Sequence, residues 1–146
     1  MEKNGARLRL GGVGDLWEDA PDLAPTLAGV NGRDFVLLLA HNPDYAEEMP
    51  GDRVDLMLAG HTHGGQCTVF GLWAPFIPSR YGQKYRAGVV VAPGTTVLVS
   101  RGLGAGTPPV RFAAPPEMMR LVLEHDAGAT PQPRPMVSVV GSEAKT

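Results

Sequence analysis

The chain has 146 residues, 43% of them hydrophobic, and 13 Lys and Arg against 15 Asp and Glu give a net charge of −2. That length and apolar content suit one folded unit with a core. The acidic balance excludes the basic face that a nucleic-acid footprint needs. The single cysteine, Cys67, excludes an internal disulfide framework, and no stretch approaches the eighteen or so apolar residues of a membrane span.

Met1-Glu2-Lys3-Asn4-Gly5 is polar and holds no signal-peptide core. A sorting signal could lie upstream, so bacterial cytoplasm and membrane association both stay open. After a turn at Asn4-Gly5, Arg7 to Val13 alternates as a strand. Gly11-Gly12-Val13-Gly14 reads as turn and close backbone approach, and Asp15 as a turn residue. Asp22 to Val30 predicts a short helix, and Phe35 to Ala40 a buried strand that ends at His41. Asn42-Pro43-Asp44 then opens a helix, with Glu47 and Glu48 suiting its positive end and Met49-Pro50-Gly51 stopping it. Val54 to Ala59 is a second buried strand, and it runs into Gly60-His61-Thr62-His63-Gly64-Gly65-Gln66.

Beyond that motif the pattern predicts strands. Cys67 to Phe70, Tyr85 to Ala92 and Thr95 to Ser100 are expected, the last two separated by the turn Pro93-Gly94. Glu117 to Glu124 is expected to close the fold as another strand. Residues 1–125 are therefore read as the folded part. Residues 126–146, rich in Ala, Gly, Pro, Ser and Thr, are read as a disordered tail.

Two neighbouring strands ending in histidine aim His41, His61 and His63 at one sheet edge, which is a metal site by geometry. Mixed imidazole and carboxylate sites suit manganese, iron or zinc. Asn42 and Gln66 adjoin these ligands as groups that can orient an imidazole by hydrogen bonding, Asn42 equally as a helix cap. Cys67 is read as structurally buried, His125 as a surface histidine, and Arg80 and Arg101 as solvated cations within reach of a phosphate. Gly102 to Gly106 misses a dinucleotide fingerprint by one position and reads as turns. The apolar loop Leu72 to Pro78 carries Trp73 and Phe76. It either folds back on the core or lines an entrance for a lipid or glycolipid phosphoester.

The series His41-Asn42-Pro43-Asp44 followed by Gly60-His61-Thr62-His63-Gly64-Gly65-Gln66 resembles the C-terminal half of the calcineurin-like metallophosphoesterases, in the bacterial branch whose last motif reads GHTHGGQ. The likeness runs from about Asn4 to Leu123 and includes Ser100-Arg101-Gly102-Leu103-Gly104. It implies an α/β fold, part of a four-layer α/β/β/α sandwich with two facing mixed sheets. It also implies two divalent metal ions in the complete site, with His41 and His61 on one and His63 on the other. The implied function is metal-dependent hydrolysis of phosphodiesters or pyrophosphates. The family's upstream Asp-x-His and Asn-His motifs are absent, so the chain reads as a fragment, inactive alone. It is expected to be marginally stable or to pair with a missing N-terminal half or another chain. The alternative is a non-catalytic, degenerate half that binds metal or a partner.

Overall fold

Four parallel strands form the centre of the protein, seen here in a computed structural model that describes residues 1–3 and 5–125. The tail expected over residues 126–146 lies outside them. The elements are β1 (Glu2–Lys3), β2 (Ala6–Gly12), α1 (Ala24–Leu27), β3 (Asp34–Leu39), α2 (Tyr45–Glu48), β4 (Leu56–Ala59), β5 (Gly88–Val91) and β6 (Thr96–Val99). They build one α/β sheet in the order β1-β2-β3-β4-β6-β5. Strands β2, β3, β4 and β6 run parallel, and β1 and β5 pair antiparallel at the two edges.

Both faces of this sheet are apolar, as parallel sheets require. On one face Val36, Leu38, Met57, Ala59, Val97 and Val99 pack with Leu23, Tyr45, Ala46 and Met49 from the single-turn helices and their flanks. Gly11 permits the close approach of β2 to this layer, because a Cβ there would meet Thr26 Cγ2 at 2.1 Å. On the other face Leu37, Leu56 and Leu98 form a second cluster with Leu8, Phe35 and Leu58. Around it Leu10, Leu39, Val89 and Val91 are exposed.

The helices are shorter than their sequence patterns. The run Asp22 to Val30 yields only Ala24–Leu27, because Ala28 turns extended and Gly29 is left-handed at φ +70°. Asn42 Oδ1 accepts the Asp44 N–H at 3.0 Å, so its capping bond serves the turn that leads into α2. Two expected strands are not formed. Cys67 to Phe70 makes only the isolated bridges Cys67–Phe112 and Val69–Trp73, since left-handed Gln66, Phe70 and Gly71 bend the chain at both ends. Glu117 to Glu124 has no regular structure, and among the described residues its one backbone bond to a neighbour runs from Glu117 N–H to Gly102 O at 3.0 Å. An extended run needs an adjacent strand, and the described residues provide one sheet, not two. Tyr85 is drawn into a 3-10 turn, Gly82–Tyr85, ahead of β5.

Candidate metal centre

The carboxyl ends of β2, β3 and β4 open into a cavity of about 430 Å³ lined by Gly12, Leu39, Ala40, His41, Leu58 and Gly60. Parallel sheets place ligands at this edge. His41 follows β3 and His61 follows β4, and the strands hold their registers to the end, with Leu39 opposite Leu58. Gly60 N–H donates to His41 O at 3.1 Å and continues the ladder past both strands. His61 then adopts φ +65°, a left-handed turn that swings its ring back over the strand ends.

The two imidazoles converge. His61 Nδ1 lies 3.1 Å from His41 Nε2, with ring centroids 5.0 Å apart. Two ligand nitrogens on one ion at 2.0–2.1 Å lie about 2.9–3.4 Å apart at right to tetrahedral angles, so this pair fits a shared cation. Burial lowers the His61 pKa and the nearby His41 lowers it further, against the opposing pull of Asp15 and Asp44. The ring is thereby kept neutral, the form that binds metal. His61 Nε2 is buried without a partner among the described residues. Trp17, whose ring stands perpendicular to His61 at 4.5 Å, walls the other side.

Buried Thr62, between His61 and His63 in sequence, anchors the motif by donating its hydroxyl to Arg86 O at 3.0 Å. His63, at φ +52°, turns its Nδ1 toward Gln66. Gln66 Oε1 accepts the Gly106 N–H, while its Nε2 donates to Pro108 O at 3.1 Å and Val110 O at 3.4 Å. That network fixes which end of the amide is oxygen. His63 Nδ1, 2.8 Å from the same oxygen, must then be the protonated nitrogen, and Nε2 keeps the free lone pair. Among the described residues no group of three His, Cys, Asp or Glu is close enough to hold an ion.

Asn42 is fully buried, its oxygen committed to the Asp44 N–H and its Nδ2 without a partner among the described residues. Asp15 serves the expected turn, accepting Trp17 N–H at 2.8 Å. His125 is exposed, as expected. Cys67 is exposed rather than buried, because the chain bends outward on both sides of it. Arg80 is solvated and paired with Glu48 at 2.7 Å. Arg101 is not a free surface cation: it pairs with Glu117 at 3.0 Å, and its stem lies over Gly64, where a Cβ would meet Arg101 Cγ at 2.7 Å.

Sequence reasoning missed Trp17, Asp44 and Arg111. Trp17 could have been suspected, since an aromatic in the loop leaving β2 must sit at the same edge as the histidines. Asp44 was visible only as a helix-start acid. It is in fact fully buried, accepting Ser79 Oγ–H and Arg80 N–H.

Comparison with known proteins gives several relatives. The uncharacterized metallophosphoesterase YkuE of Bacillus subtilis is 36% identical over 121 residues, 83% of this chain and 42% of the relative. The phosphodiesterase YaeI of Escherichia coli is 38% identical over 99 residues, 68% of this chain and 35% of its own. An uncharacterized metallophosphoesterase of Aquifex aeolicus is 34% identical over 103 residues, 70% and 38% respectively. The chain thus spans about two fifths of the length of these curated relatives, in their C-terminal portion. No family profile and no solved structure matches it. Motif, sheet and relatives agree, and the chain belongs to the metallophosphoesterase family, matching the C-terminal portion of its relatives.

Proposed function

We propose that the chain supplies the imidazole part of the metal centre of a phosphoester hydrolase. The observation that carries this reading is the convergence of His41 Nε2 and His61 Nδ1 at 3.1 Å beside the cavity at the carboxyl edge of the sheet. His41 and His61 would hold one divalent ion, and His63, through Nε2, a second; manganese, iron and zinc all accept such ligands. Gln66 keeps His63 in the tautomer that leaves Nε2 free, and buried Asn42 shapes the turn that carries His41. Divalent ions when bound lower the pKa of water and neutralise phosphoryl oxygens. Phosphodiesters and pyrophosphates are the substrate class that suits this chemistry.

The remaining ligands are proposed to come from another polypeptide segment, a missing N-terminal half in the first instance. The apolar second face of the sheet supports this, since Leu10, Leu39, Val89 and Val91 stand exposed beside the Leu37 cluster. Without that segment the chain is expected to bind metal and not to turn over substrate. Exposed Phe70, Leu72, Trp73 and Phe76 close to the motif favour an amphiphilic, lipid- or glycolipid-linked phosphoester.

Titration of the chain with manganese and zinc, beside hydrolysis of bis-p-nitrophenyl phosphate, tests the reading. Uptake that is lost in both His41→Ala and His61→Ala supports it. Uptake that survives both changes removes the centre. Metal-dependent turnover by the chain alone would overturn the need for a second segment.

A further inference from the structure

We infer that Arg111 is the residue that positions His63, gripping its main chain while acting on no reacting atom. The inference rests on the reading of His63 as a ligand. Its evidence is the guanidinium geometry.

Among the described residues Arg111 meets no carboxylate in its hydrogen-bond set. Every one of its nitrogens is spent on backbone carbonyls. Nε donates to Gly104 O at 2.9 Å; Nη1 donates to His63 O at 2.9 Å and Ala114 O at 3.2 Å. Nη2 donates to Arg101 O at 2.7 Å, to Gly102 O at 3.4 Å and to Gly104 O. One planar fork thus ties together the His63 turn, the loop that follows β6 and the chain at Ala114. A lysine has no such fork and could reach only part of this set.

His63 needs such a hold. A non-glycine residue at φ +52° occupies a region that costs free energy and persists only when its surroundings over-determine it. The same stretch of chain grips His63 twice. Arg111 fixes the carbonyl, and the Gly106, Pro108 and Val110 backbone fixes Gln66, which fixes the imidazole. Phe112 N–H also donates to Gln66 O at 2.8 Å, which sets Arg111 between two anchored residues. Loss of the fork frees the loop after β6 and the His63 carbonyl together, and the Gln66 contact should follow.

The test is ¹⁵N NMR of the histidine rings in the metal-free chain at about pH 8, above the ordinary imidazole range. It compares the native chain with Arg111→Lys and Arg111→Ala. The expected result is loss of the Nδ1–H signature of His63 in Arg111→Ala, partial loss in Arg111→Lys, and unchanged His41 and His61 signals. Free guanidinium at a non-denaturing concentration should restore the His63 signature in Arg111→Ala, which general loosening of the fold would not allow. Metal affinity at His63 should fall at least about tenfold, the usual cost of losing a group that orients a ligand. If both variants keep the native His63 signature, the inference is overturned. If they lose it in a chain whose histidines bind no metal, the positioning role stands and the metal reading fails. Should Arg111→Ala unfold, Arg111→Lys decides alone, a native His63 signature again overturning the inference.

Discussion

Asp44 and Ser79, 35 residues apart in sequence, meet where the half-buried Ser79 hydroxyl donates to Oδ1 of buried Asp44 at 2.5 Å. Arg80 N–H donates to the second carboxylate oxygen at 2.8 Å. The turn after His41 and the apolar loop after the histidine motif are thus fastened to one buried carboxylate. Asp44→Ala should leave both donors without an acceptor and cost about 1–3 kcal/mol, as unsatisfied donors do. Urea unfolding of the two chains measures this. A loss under about 0.5 kcal/mol, the ordinary surface range, would mean the fastening is dispensable.

Gly65 sits at φ +81°, and a Cβ there would stand 2.3 Å from Ala74 Cβ. Gly65→Ala therefore carries both a steric clash and a left-handed penalty, together more than about 2 kcal/mol. Adding Ala74→Gly should relieve the clash and leave the backbone part, about 1–2 kcal/mol. Thermal melts of the single and double variants separate the two parts; equal melting temperatures would contradict the packing.

Glu47 accepts hydrogen bonds from Tyr85 Oη and Lys84 Nζ. Burial raises its pKa, but the bonds from Lys84 and Tyr85 and the Lys84 charge outweigh burial, and the net shift is downward from 4.5. A carboxylate with a lowered folded-state pKa stabilises the fold above its unfolded pKa, and that contribution fades as pH falls through the folded value. Glu47→Gln should thus lower the melting temperature most at neutral pH. The gap should narrow below about pH 4, where the unfolded carboxyl protonates. A gap independent of pH would show that charge is not involved.

Phe70, Leu72, Trp73 and Phe76 are exposed by 87%, 78%, 51% and 72%, enough for an apolar surface to act outside the core. Trp73→Ser with Phe76→Ser should leave stability nearly unchanged and reduce co-sedimentation with phospholipid vesicles severalfold. Equal sedimentation of variant and native chain would leave the loop without a lipid role.

The parallel core and the histidine edge were legible because they depend on local signals: leucine- and valine-rich runs, each ending in glycine or histidine. The position of His41 and His61 at adjacent strand ends follows directly from those runs. The two unformed strands were not foreseeable in this way, because a strand is fixed by its neighbour. Glu117 to Glu124 has the residues of a strand and, among the described residues, no strand beside it. The depth of Asp44 and the hold of Arg111 were also hidden. Both serve contacts between segments far apart in sequence, which spacing along the chain does not encode.

His41 and His61 are separated by one strand–turn–strand passage, β3 through α2 to β4. Both sit within the single stretch from Asp34 to His61. The pair is therefore a modular inheritance. Any rearrangement that keeps β3, α2 and β4 contiguous carries the two imidazoles along together, already aimed at each other.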